Sequence, residues 1–171
     1  GHETGWGSTP IFVANDRTVM RIDGYSPVKI SPEWLDRRLE AVADVTGLQA
    51  TAFVAAGHRF WALSGADWTA VYDLSMDKWH ERKSYGLERW RVDFCAQAFG
   101  EWLAFDRDSA KVLRVDAKRN REDLDPLVWT VRTAQVHAFP SRIEVNRVGF
   151  DFETGVGLDA GISPIQTEPR V

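Results

Sequence analysis

Residues 71–91, VYDLSMDKWHERKSYGLERWR, place Trp79, Trp90 and His80 among Lys78, Arg82, Lys83, Arg89 and Arg91. Basic side chains interleaved with aromatic rings can grip nucleic acid, cations on phosphates and rings under bases. The same spacing arises when a strand, a turn and a second strand send large rings into a β-sheet core. Three other places carry residue types that do chemistry. His58 follows Gly57 and has the makings of a base or ligand, but no Cys or second His stands at a metal spacing beside it, so a turn or inter-sheet hydrogen bond is its expected role. His80 precedes Glu81, a pair able to pass a proton, yet neighbours on a strand face opposite sides, which makes a rim or subunit contact the expectation. Asp151 and Glu153 lie two apart on one strand face, the arrangement of a glycosidase acid and nucleophile, with nothing nearby to raise the acid's pKa.

The motif inventory is otherwise bare of catalysis. The chain has no Gly-rich phosphate loop, no HExxH run, no GxSxG elbow and no dinucleotide fingerprint. Asp73, Asp77, Asp106, Asp108 and Asp116 fall at turns or strand ends, where Asp caps backbone N–H groups, and neither DLSMD nor DRDS makes a calcium loop. The expectation is therefore no catalytic, cofactor or metal residues, with Cys95 as the single cysteine and no internal disulfide. A net charge of -4 argues against a dedicated nucleic-acid binder, because phosphate neutralisation leaves a module with excess Lys and Arg. The basic excess is local, in 78–91 and again in 107–121. No apolar run approaches the roughly 20 residues of a membrane span, so no membrane partner is expected.

These residues need elements to hold them. TPIFVAN, TVMRIDG and GYSPVKIS, over 9–31, read as a hairpin and a third strand. SPEWLDRRLEAV follows, with Ser31 placed to cap, Pro32 at the first helical position and Trp34, Leu35, Leu39 and Val42 on one face, predicting a single helix at about 32–43. Beyond it strands alternate with turn signals near 57, 66, 76, 100 and 108, the pattern of antiparallel meanders. Trp61, Tyr72, Trp79, Trp102 and Trp129 interrupt strand-like runs and are expected to be structural. Trp68 and Trp90 flank loops and are candidate interface anchors. With them go His58, His80, Arg82, Lys83, Arg89 and Arg91 as interface or rim candidates.

An internal repeat sharpens the fold. FVANDRTVMRID at 12–23 and FDRDSAKVLRVD at 105–116 share a large apolar residue, a charged turn, a Val, an Arg and a closing Asp. Tyr72-Asp73 stands about forty residues before the second copy's end, close to one four-stranded propeller blade. The expected fold is all-β: residues 1–136 as part of a β-propeller interrupted by the helix, and 137–171 as an extra β segment and tail. Three units fall short of a ring of four blades, so the expectation is a piece of a larger propeller, with a shorter β sandwich as the alternative, and unpaired edges and apolar blade faces favour a homo-oligomer.

The order PIFVAN, VMRIDGYSPVKIS, PEWLDRRLEAV, AGHRFWALSG, AVYDLSMDKWHERKS, ERWRV and IEVNRVGFDFETGVG resembles the packaged-DNA-stabilising head-completion or tail-hub proteins of short-tailed phages. The resemblance covers roughly residues 9–157. Its most distinctive pieces are Gly57-His58, Val71–Asp73 with Trp79-His80-Glu81-Arg82, and Glu153-Thr154-Gly155-Val156-Gly157. It implies a non-catalytic structural virion component, made in host cytoplasm, assembled as a ring and meeting portal, tail needle and tailspike proteins, with non-specific DNA contact along a basic rim. A carbohydrate- or surface-binding propeller module is the alternative, and a glycoside hydrolase piece the third reading.

Overall fold

The computed structural model describes residues 9–119, 121–128, 130–132, 144 and 147–149. The chain divides into two units, Gly1–Leu127 and Val128–Val171, and the elements below belong to the first. Trp129, the Asp151 and Glu153 pair, the 153–157 motif and the strands expected beyond residue 132 lie outside the described residues.

Several small antiparallel β-sheets and one short helix make up the unit. The first sheet has the order β1 (Ile11–Val13), β2 (Val19–Asp23) and β3 (Ser26–Lys29). Helix α1 (Glu33–Ala41) follows, then a 3-10 turn at Val45–Gly47. The central sheet is a four-stranded meander of β4 (Gln49–Ala55), β5 (His58–Ser64), β6 (Thr69–Asp73) and β7 (Lys78–Glu81). The third sheet comprises β8 (Val92–Ala98), β9 (Glu101–Asp106) and β10 (Val112–Arg114), and a small hairpin of β11 (Arg121–Glu122) and β12 (Asp125–Pro126) follows it.

The helix forms where its periodicity predicts, and Leu35 and Leu39, one turn apart, are fully buried. Its start differs in detail from expectation. Pro32 is the flanking residue and makes no side-chain cap, while Ser31 accepts from Val19 N–H (3.0 Å) and donates to Asp36 (2.5 Å). Ser31 thus ties β2 to the helix. At the other end Arg17, held at φ 64° in the β1–β2 turn, donates to the Val42 carbonyl at 3.0 Å. A cation there satisfies an orphan helix carbonyl and faces the negative end of the helix dipole.

Period-two alternation gives the central sheet two apolar faces. On one, the cross-strand row Ala52, Trp61, Tyr72, Trp79 packs with Leu63, Trp68 and Ala70 against Val19, Leu35 and Leu39. Trp79 meets Trp61 edge-on at 6.2 Å and Tyr72 at 5.0 Å, and its Nε1 donates to the Ile30 carbonyl at 2.7 Å. On the other face Phe53, Ala62 and Val71 pack with Trp90, Val92, Cys95 and Ala104. Two cores thus sandwich one sheet, and all five residues of β6 are buried. The third sheet is keyed to the central one by Cys95 N–H, which donates to Thr51 Oγ1 at 2.7 Å.

The repeated motif is a repeated hairpin. Its two copies span β1–β2 and β9–β10, and the sixth position of each, Arg17 and Ala110, sits at positive φ (64° and 53°). The shared Arg-x-Asp then places both charges on one strand face, Arg21 with Asp23 at 3.8 Å and Arg114 with Asp116 at 3.3 Å.

Trp68 folds so tightly over Gly65 that a Cβ there would lie 2.6 Å from the indole. Gly65→Ala should therefore cost about 1–3 kcal/mol by overpacking, measured by urea unfolding. Truncating Trp79 to Ala should cost about 3 kcal/mol. A Gly65→Ala variant as stable as the parent would contradict the packing of Trp68.

Candidate functional site

Residues 71–91 are divided between a core and a surface loop. Lys78, Glu81 and Lys83 are exposed, whereas Arg89 and Trp90 are buried. Arg82 lies along the Trp90 ring, 4.3 Å from its centroid, and 5.5 Å from that of Phe53. Burial pulls the Arg82 guanidinium below its ordinary range, and the Glu122 carboxylate pulls it back. A desolvated cation over a ring contributes on the order of 2 kcal/mol. Arg82 thus helps to hold the second core, not a rim.

Arg89 and Arg91 are likewise ties. Arg89 donates to the Trp90 carbonyl (3.1 Å) and the Gly65 carbonyl (2.9 Å) and pairs with Asp93. Arg91 sends Nε and Nη2 to one oxygen of Asp106, at 2.8 and 2.5 Å, and Nη1 to Asp125 at 3.3 Å. The expected basic rim of Arg82, Lys83, Arg89 and Arg91 is corrected accordingly. A guanidinium on a strand-linking loop finds backbone carbonyls and carboxylates inside, and Lys83, paired with Glu88 at 2.8 Å, is the exposed cation of that set. Trp68 and Trp90 are corrected in the same way. Their rings fill the two cores, Trp68 beside Leu35 and Leu39 and Trp90 beside Phe53 and Val92, where burying a large ring contributes most.

His58 opens β5 directly after the Ala56-Gly57 turn, both residues at positive φ. Its Nδ1 lies 2.7 Å from Asp73 Oδ2, and the other Asp73 oxygen accepts from Ser75 N–H (2.8 Å) and Met76 N–H (3.2 Å). The pair joins two strands of one sheet. Asp106 does the equivalent work in the third sheet, accepting from Asp108 N–H (3.0 Å) and Ser109 Oγ (2.5 Å) while holding Arg91. Each carboxylate accepts turn N–H groups on one oxygen and takes a base or cation on the other, Asp106 Oδ2 accepting from Ser109 as well as from Arg91. Both are more than the turn caps their positions suggest, and each directly follows an aromatic residue in sequence, Tyr72-Asp73 and Phe105-Asp106.

His80 and Glu81 do not meet as a pair. His80 lies across from Val71 with its ring edge-on to Phe60 at 6.0 Å, and Glu81 reaches Arg38. Partial burial of the ring, then the Arg82 charge, holds His80 below the usual imidazole pKa. Burial pushes the Cys95 thiol up to about 12, so it stays protonated and unreactive. Burial and the Asp77 partner likewise raise Tyr72 to about 12. Trp102 packs against the second core.

A cavity of about 870 Å³ opens between the residues after α1 and the loops 65–68 and 83–89. Arg38, Lys83, Arg89 and Arg107 line it alongside Asp44, Asp67, Glu88 and Asp93, so it carries no excess of either charge. Among the described residues no three His, Cys, Asp or Glu side chains are grouped to hold a metal ion. No described helix is long and apolar enough to cross a membrane.

Asp106 supplies a pH-dependent test. Burial alone would raise its pKa, but Ser109, the Asp108 N–H and Arg91 outweigh that and hold it at about 2. A folded value below the unfolded one gives stability that is complete above about pH 4 and lost as pH falls towards 2. Asp106→Asn should lower stability by about 2 kcal/mol at neutral pH and flatten the acid limb of the stability profile; an unchanged acid slope would contradict the assignment. No protein-family model matches the chain, and no curated protein sequence matches it.

Proposed function

We propose that the chain is a non-catalytic structural module of propeller type, a virion component of the tail-hub or head-completion kind, working through protein interfaces. The sheets β1–β3, β4–β7 and β8–β10 are read as consecutive blades, in support of which the central meander has both faces covered and its neighbours repeat one hairpin. Among the described residues, the groups that could do chemistry have structural partners, and His80 and Glu81 are engaged separately with Phe60 and Arg38. His58 braces Asp73, Arg91 braces Asp106, and Cys95 is a core residue.

One observation carries the reading. In the central sheet the cross-strand pair Phe53 and Phe60 stacks at 5.1 Å with the third sheet over it. The third sheet bears an equivalent pair, Phe94 and Phe105 at 5.8 Å, on the face turned away from that core, and Val112 continues the row. That row is open, at 47%, 37% and 54% exposure. A contiguous apolar sheet face marks an interface, and its likeness to the covered face points to another sheet, here of a second copy, as the cover. Non-specific DNA contact, if the module makes it, rests on the exposed Arg107, Lys111, Arg114, Lys118 and Arg119 more than on residues 78–91.

Light scattering over a concentration series should give dimers or larger species, not a monomer near 19.4 kDa. Phe94→Glu with Phe105→Glu should return a folded monomer. A parent chain that is monomeric throughout would overturn the interface reading, and turnover of any glycoside would overturn the non-catalytic one.

A further inference from the structure

The hairpin Arg121–Pro126 does a job that neither fold nor proposed function requires. Three of its carboxylates reach donors on the segments beside it. Glu122 Oε1 accepts from the Trp90 indole N–H at 2.6 Å, Asp123 pairs with Lys111 at 2.5 Å, and Asp125 pairs with Arg91 at 3.3 Å. Arg82, stacked on Trp90, feels the charge of Glu122 as well. An acidic peptide thus lies along an edge built from Trp90, Arg91 and Lys111.

The closed arrangement carries visible costs. Glu122 Oε2 is buried without a hydrogen bond, an arrangement that leaves its desolvation uncompensated. Asp123 stands at φ 57° in the left-handed region. The two strands are two residues each, and Leu124 at the tip is 76% exposed. Nothing apolar anchors the tip, and two of the three contacts are charge pairs that salt screens. Such a segment belongs to the low-stability end of the fold. Without the strap Arg91 retains its two bonds to Asp106 and the Trp90 ring its place in the second core, while the Trp90 indole N–H and the Arg82 charge lose Glu122 and so favour another carboxylate in its place.

We propose that this hairpin is an autoinhibitory strap, a stand-in for an acidic segment of a partner protein, and that its release opens the Trp90, Arg91 and Lys111 edge to that segment. The partner is an acidic peptide because the occupant already in place is one: carboxylates at the first, second and fourth positions of EDLD meet an indole N–H, an ammonium and a guanidinium. This rests on different residues from the open face of the third sheet, and either can fail without the other.

The test uses the full chain with Glu122→Gln, Asp123→Asn and Asp125→Asn together, and a labelled peptide of residues 121–127 supplied in trans. The variant should bind the peptide at least about tenfold more tightly than the parent, since its own strap no longer competes. Binding should weaken between about 50 and 500 mM salt, and a peptide with the acids neutralised should not bind. Equal binding by parent and variant, or tighter binding of a single-stranded oligonucleotide than of the peptide, overturns the proposal. Should the triple variant fail to fold, Asp125→Asn, which leaves Arg91 its Asp106 partner, should show the same preference in smaller measure. Hydrogen exchange on the parent supplies the second readout. Amides 121–126 should exchange faster in the higher salt while those of β4–β9 keep their rates; rates that move together overturn the strap.

Discussion

Strand β6 of the central sheet has no solvent face, and much of the unit follows from that. A meander exposed on one side alternates polar and apolar residues, but β6 reads TAVYD and is buried throughout. Its odd and even residues therefore each need a cover. The helix and first sheet supply one through Leu35, Leu39 and Val19, and the third sheet supplies the other through Val92, Cys95 and Ala104. Neither flanking layer has a comparable core of its own among the described residues. Their order depends on the apolar area that the middle sheet offers, at about 25 cal/mol per Å².

Sheets stacked this way leave their strand ends and links in a mixed environment, and charge is used there as a fastener. Asp73 and Asp106 each satisfy backbone N–H groups of a turn and fix a base or cation on a neighbouring strand or link. Arg82 and Arg89 run the other way, from a loop inward to rings and carbonyls. Removing one member of such a buried set leaves its partner without compensation, so each is worth more to the fold than an exposed pair such as Lys83 with Glu88. The concentration of Arg and Trp in 78–91 is thus a property of the passage between two sheets.

How much of this was legible depended on period and side. The lone helix, the antiparallel strands and the turns near 57, 76, 100 and 108 were readable because Gly, Asp and apolar alternation act locally. The hairpin repeat was readable as a pattern, and its physical content is the left-handed turn residue shared by Arg17 and Ala110. Burial of cations was not readable. Arg82 and Arg89 are as hydrophilic in sequence as Lys83, and only the tertiary placement of Trp90 and Gly65 decides which of them leaves water. The same limit hid Glu122 and Asp125, whose partners lie more than thirty positions away. Trp68 misled for a related reason, since a ring beside Gly65 and Asp67 looks like a loop ornament until Gly65 is seen to make room for it.

The two ends of the stack are not alike, which constrains any assembly made through them. At one end, opposite the core-facing Val13 and Val19, stand Phe12 and Met20, with Ile22 paired to Pro27 beyond them. At the other stand Phe94, Phe105 and Val112, with Leu103 on the same face. A two-fold dimer would bring like ends together and leave the unlike end of each copy open. Joining the first sheet of one copy to the third of the next is heterologous, and each addition presents the same pair of ends again. Strand twist rotates successive packed sheets in a constant sense, so the outcome is set by whether that rotation closes after a whole number of copies. A closing rotation gives a ring with no apolar end left, and a non-closing one gives a filament. For copies joined through these two faces, the assembly state would therefore be set by the packing angle between sheets more than by any single contact residue.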